Sequence, residues 1–173
     1  MANEIQHVSV GTTMTQAEYE AVNSHSLASG LVIPKIVLKA ADETVNNSDV
    51  LQNDDELLFA IAANEVWGFT FVIAWNSGTT PDIKFALAVP ALATFAAAIS
   101  GGDGAGNDVR SMQVSGTALS LEGSAAEMAA TIIGRVVNGA NAGNLQLQWA
   151  QTTANASDTI VRANSYIIAH KLA

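Results

Sequence analysis

Trp67-Gly68-Phe69-Thr70-Phe71-Val72-Ile73-Ala74-Trp75 puts a large apolar side chain on every second residue, with Gly, Thr, Val and Ala between them. A period of two is the pattern of a β-strand, whose successive side chains point to opposite faces. After the polar turn Asn76-Ser77-Gly78-Thr79-Thr80-Pro81, the alternation resumes as Ile83, Phe85, Leu87 and Val89 against Asp82, Lys84, Ala86 and Ala88. Two long strands joined by a hairpin-length connection are therefore expected. A face this aromatic must be buried against a second layer. It leaves almost no polar side chain pointing inward for chemistry, so the block from Asp54 to Pro90 reads as the body of a building block.

At 173 residues the chain suits one domain with a modest extension, enough to bury a two-layer core. Only 13% of residues are charged while 49% are hydrophobic, which gives a neutral, polar surface. The net charge of -9, with seven Lys and Arg scattered along the chain, argues against nucleic acid, whose phosphates need clustered cations. With no cysteine, disulfides and thiolate metal sites are excluded. The start Met1-Ala2-Asn3-Glu4-Ile5-Gln6-His7 lacks a basic segment followed by an apolar run, so no secretory signal is expected. Residues 85–100 are uncharged, but Pro90, the Ala content and strand alternation disqualify them as a membrane span, and no membrane partner is expected.

Residues 1–30 differ from the rest. They form a polar N-terminal arm with one short helical signal, Thr15-Gln16-Ala17-Glu18, which has capping-box spacing. Residues 31–173 read as strand nearly throughout. Ile36, Leu38 and Ala40 alternate with Lys35, Val37 and Lys39, and Leu57, Phe59 and Ile61 with Leu58, Ala60 and Ala62. Residues 92–99 are ambiguous between helix and strand, and the glycine-rich 101–108 reads as a loop. Further strands fit 112–119, 129–137, 144–151, 158–163 and 166–172, with residues 138–143 as a tight turn. Roughly eight to ten strands without a long helix define an all-β, antiparallel β-sandwich. A jelly-roll type is expected, filled by Trp67 to Trp75 from one sheet and by Leu145, Leu147 and Trp149 from another; an immunoglobulin-like sandwich is the alternative.

No constellation carries obvious chemistry. His7, His25 and His170 have no companion ligand at metal spacing, so no metal or other cofactor is expected. The acidic run Asn53-Asp54-Asp55-Glu56 invites a calcium reading but lacks the helix-loop-helix ligand pattern, and a solvated turn before the strand at Leu57 explains it. Residues 101–108 resemble one copy of a calcium-binding nonapeptide repeat, which cannot stack alone. No nucleophile elbow, phosphate loop or His-Glu-x-x-His is present, so no enzyme is expected. Trp67, Trp75 and Trp149 could form a carbohydrate platform if exposed; their apolar surroundings assign them to the core.

Two blocks resemble tailed-bacteriophage virion structural proteins: Asn53 to Phe59 with Ala62 to Trp67, Asn76 to Thr80 and Asp82 to Phe85, and Gly134 to Gly139 with Ala142 to Leu145, Leu147 to Gln151 and Ser165 to His170. Val10 to Tyr19 is similar to a segment recurrent in phage tail-fibre and virion proteins. The resemblance implies a non-enzymatic component of the particle. Its leading form is a capsid decoration (cement) protein on the outer surface of the virion, a homo-oligomer, expected as a trimer, bridging copies of the major capsid protein. The arm would reach across neighbouring subunits, with Met14, Tyr19 and Val22 as contact residues. The alternative is a receptor-binding or tail-fibre module recognising a host glycan through residues 100–108 or 152–158.

Overall fold

The computed structural model describes residues 33–103 and 106–173. The arm of residues 1–30, its helical signal, His7, His25 and the contact residues Met14, Tyr19 and Val22 lie outside the described residues.

The described residues contain no helix, and their regular structure is all strand. In chain order these are β1 (Lys35–Leu38), β2 (Glu43–Val45), β3 (Gln52–Ile61), β4 (Val66–Asn76), β5 (Ile83–Ala88), β6 (Thr94–Asp103), β7 (Gly106–Met112), β8 (Leu119–Leu121), β9 (Glu127–Val137), β10 (Gly143–Ala150), β11 (Thr159–Val161) and β12 (Tyr166–Lys171). They make two antiparallel sheets. The larger runs β1-β12-β4-β9-β6-β7, with the short β11 bridging β2 and β4; the smaller runs β3-β10-β5-β8.

One pairing rule generates this order. β1 pairs β12, β2 pairs β11, β3 pairs β10, β4 pairs β9, β5 pairs β8, and β6 pairs β7. The domain is thus a single long antiparallel ribbon folded back on itself, with its tip where Asp103 opposes Gly106. Rolling the ribbon adds the second set of neighbours, β12 with β4, β10 with β5 and β6 with β9. Successive strands from β3 to β6 therefore alternate between the layers.

Alternation along the strands then builds the core. One inward rung of the large sheet runs Val37, Ile167, Phe71, Ile132 and Ile99, and all but Val37 are fully buried. Leu57, Phe59, Ile61, Phe85, Leu87, Leu145, Leu147 and Trp149 face it from the small sheet. Rings meet across the two layers: Trp75 and Phe85 edge to face at 6.3 Å, Phe59 and Trp67 tilted at 5.4 Å. The sandwich and the two apolar faces expected to fill it are both present.

Four expectations change. The turns at residues 77–82 and 138–143 are not hairpins but corners, because β4 and β5, like β9 and β10, lie in different sheets. Residues 94–103 and 106–112 are strands, so the glycine-rich stretch extends the large sheet where a loop was expected. Residues 113–118 lie outside any strand, since β7 ends at Met112 and β8 begins only at Leu119. Finally, the acidic run belongs to β3, and Asp54 is fully buried rather than solvated.

Candidate functional site

Outward positions of the large sheet form a second set of rungs. One runs Ile36, Ile168, Thr70, Ile133, Ala98 and Ser111; the next runs Leu38, Tyr166, Val72, Thr131, Ser100 and Val109. Neither contains a charge. Ile36, Leu38, Ile133 and Val109 are 65%, 60%, 58% and 67% exposed, high values for aliphatic side chains grouped on one face. Arg135 and Glu127 stand at opposite ends of β9, flanking the uncharged rungs. The outer face of the small sheet is different, with Asn53, Asn144, Gln146, Gln148 and Lys84 among its outward residues. Strands covered on both faces read as continuous apolar runs, and Ile36-Val37-Leu38, Thr131-Ile132-Ile133 and Ile167-Ile168-Ala169 have that character. Such unbroken apolar runs are a sequence signal that strict alternation does not contain.

Among the described residues two charged side chains, Lys39 and Asp54, are buried, and they lie beneath the same edge. β1 alternation sends Val37 and then Lys39 inward, so the inward set is the one that holds the lysine while Ile36 and Leu38 face out. Lys39 Nζ meets Glu43 Oε2 at 2.9 Å, Asp54 Oδ1 at 3.0 Å and Glu56 Oε2 at 3.8 Å. Asp54 is inside because β3 bulges there: opposite β10 the register shifts between Gln146, which faces Leu58, and Gln148, which faces Asn53. The Asp54 carboxylate satisfies the backbone donors that the bulge strands, accepting from Glu56 N at 3.0 Å and Leu57 N at 2.8 Å through Oδ1. Its Oδ2 is buried without a partner. Burial pulls the Lys39 pKa down, but hydrogen bonds and charge from Glu43 and Asp54 outweigh it, and the ammonium is held above its usual range. Glu56 is held below the carboxylate range, chiefly by the Ala40 N–H and further by Ala41 N–H and Lys39.

A third cluster sits where β4 begins. Glu65 accepts from Lys171 Nζ at 2.9 Å, Trp67 Nε1 at 2.9 Å and Ala62 N at 2.8 Å, which together push its pKa down to about 2. Lys35 Nζ lies 5.7 Å from the Phe59 ring centre and 6.0 Å from that of Trp67, covering both rings. Trp67 is half-buried, whereas Trp75 and Trp149 are fully buried with their indole N–H groups unpartnered. His170 is exposed near the end of β12. Among the described residues no three His, Cys, Asp or Glu side chains converge as a metal site. Residues 152–158 do form a loop, fastened by the buried Gln151, which donates to Ser157 O at 2.7 Å and accepts from Asn155 N at 2.9 Å.

No family model matches the chain, and no curated protein does. Among the solved structures, two that align along most of it can be named. They are the structure of infectious bursal disease virus Gt strain, at 9% identity with a TM-score of 0.20, and that of the Gx strain, at 10% and 0.19. The alignments cover 82% and 80% of this chain but 38% and 40% of those chains, so it spans about two fifths of their length. Both neighbours are virus structures, and at these TM-scores the likeness carries no argument of its own.

Proposed function

We propose that the chain is a non-enzymatic structural protein of a virus particle, and specifically a capsid decoration protein that bridges copies of the major capsid protein on the outer surface of the head. The observation that carries this reading is the pair of uncharged rungs that cross the outer face of the large sheet, six strands wide, on a chain whose net charge is -9. Solvent-facing sheets normally alternate apolar with polar residues, and one that keeps Ile36, Leu38, Ile133 and Val109 outward is built to be covered. The occupant we assign is the capsid surface, with the arm of residues 1–30, through Met14, Tyr19 and Val22, reaching the adjacent subunit. Two attachments on one chain raise the effective concentration of each for its own site. The nested pairing of strands supports reading the sandwich as a jelly roll, with β6 and β7 added as an extra hairpin at one edge. A trimer would place three such faces on the lattice at once.

Purified protein mixed with empty capsids that lack it tests the reading directly. Saturable binding by the full chain, weakened on removal of residues 1–30, is expected. Failure of both forms to bind sinks the decoration role, and saturable binding to a host glycan instead would replace it with the receptor-binding alternative.

A further inference from the structure

We infer that Lys39 and Asp54 are placed to join covalently, the lysine Nζ forming an isopeptide bond to the aspartate Cγ with loss of one water. The two groups already touch: Nζ is 3.0 Å from Oδ1, and their side chains are 1% and 0% exposed. Holding amine and carboxyl together in a fixed, dry contact removes the entropic cost that makes such a condensation slow between free molecules.

The surroundings supply the other parts. Oδ1 accepts the N–H groups of Glu56 at 3.0 Å and Leu57 at 2.8 Å, a pair of fixed donors aimed at the oxygen that gains negative charge when an amine adds to Cγ. Oδ2 is buried and unpartnered, which leaves it as the oxygen able to take up protons and depart. Glu43 Oε2, 2.9 Å from Nζ, stands as the general base. That carboxylate is itself fixed, by Gln52 Nε2 on Oε1 at 2.6 Å and by Asp55 N on Oε2 at 3.2 Å. Glu56 Oε2, at 3.8 Å from Nζ, completes the charged groups around the amine.

The step balances without an oxidant or a co-reactant. The ammonium brings three hydrogens. Glu43 takes one, the freed amine adds to Cγ, and a second is passed on as the adduct collapses; both leave with Oδ2 as water and the third stays on the amide nitrogen. The positive charge of Lys39 and the negative charge of Asp54 disappear together, and Glu43 ends as it began. The surrounding carboxylates keep the amine protonated most of the time. A minor neutral form is sufficient, because the joined side chains, 1% and 0% exposed, leave little access for the water that would reverse the bond.

Intact mass of the unfolded full chain, after incubation folded at neutral pH, is expected to fall one water below the sequence mass. Digestion that cuts the backbone between residues 43 and 54 is expected to leave the Lys39 and Asp54 peptides joined. Lys39→Arg and Asp54→Ala are expected at full mass whether or not they fold, and Glu43→Gln is expected to slow the loss of water. Wild-type protein that stays at full mass overturns the inference. So does a loss of water whose peptides separate on digestion, which marks a cyclic imide at an aspartate, or a loss that persists in Lys39→Arg.

Discussion

Replacing Ile36, Leu38 and Ile133 together by threonine separates folding from assembly on the proposed contact face. All three point away from the core, and they are 65%, 60% and 58% exposed, so most of their apolar surface is still in water in the isolated domain. Threonine is β-branched, as strands favour, and changes at such surface positions shift stability by about 0.5 kcal/mol or less each. Binding is a different matter. Full burial of a Leu or Ile side chain is worth about 1.5–3 kcal/mol, and roughly three fifths of that remains to be gained at each position, or about 1–2 kcal/mol. Losing three such terms removes about 3–5 kcal/mol, which weakens the dissociation constant by roughly two to four orders of magnitude. Urea unfolding of the free protein and a capsid-binding titration measure the two quantities separately. Asn144→Ala, on the outer face of the small sheet, is the control and is expected to change neither. A triple variant that saturates capsids at the wild-type concentration, with an unchanged unfolding curve, would falsify the assignment of this face.

Glu65, held at about 2 against an ordinary 4.5 by Lys171, Trp67 and Ala62, contributes stability that is present above pH 4.5 and lost as pH falls toward 2. Glu65→Gln should therefore flatten the decline in melting temperature across that window, and a decline as steep as that of the wild type would refute the linkage. Gly134 has no room for a side chain: a Cβ there would stand 2.6 Å from both Ala96 O and Ala97 Cβ on the neighbouring β6. Since backbone must move to admit it, Gly134→Ala is expected to cost about 1–3 kcal/mol by urea unfolding, and an unchanged midpoint would count against the close approach of β6 and β9. Thr159 Oγ1 sits buried at 2.8 Å from Ser77 Oγ and 3.4 Å from Gln151 Nε2, so Thr159→Val strands a polar group and should cost about 1–3 kcal/mol. Loss of less than a few tenths would show that water or a neighbour takes the vacant place.

The strands were legible wherever large apolar residues alternate, because that pattern depends only on the pleat and on the need to bury one face. Trp67 to Trp75, Ile83 to Leu87 and Leu145 to Trp149 all lie as expected. Partners were not legible. Gly, Asn and Pro at residues 77–82 and 138–143 can turn a chain back on its own sheet or carry it to the facing one, and only the rolled pairing of distant strands decides which. The glycine-rich 101–108 reads as a loop because Gly disfavours a strand interior, yet residues 101–103 and 106–108 pair at the ribbon tip, where β6 and β7 hold each other in register. Nor could the run at Asn53 announce a buried carboxylate. Charges are expected in water, and burial of Asp54 depends on a bulge and on a lysine 15 residues away that faces inward for reasons set by β1.

The exposed apolar face and the buried charge meet at one strand. β1 is the edge of the large sheet, held along its length by a ladder to β12 of only four residue pairs, and it presents Ile36 and Leu38 outward. On the proposed reading, this edge is where capsid contacts pull, and residues 1–30 precede it in the chain. A short edge ladder is weak against peeling, because its hydrogen bonds break one at a time from the end. Lys39 follows β1 directly and reaches across the interior to Asp54 on β3, which belongs to the other sheet. The contact ties the edge strand to the opposite layer just beyond its last ladder pair, so a pull on β1 must shear the sandwich as well as unzip one strand. As an ion pair that tie yields little net stability, since desolvating both charges offsets most of their attraction. As a covalent bond it would close a loop spanning 15 residues, worth about 3 kcal/mol by the chain-entropy argument used for disulfides, and it would hold at forces that unzip a hydrogen-bonded ladder. A particle component selected to resist mechanical opening gains more from the second property than from the first. The chemistry inferred for Lys39 therefore fits the contact role proposed for Ile36 and Leu38, although each is tested by its own experiment.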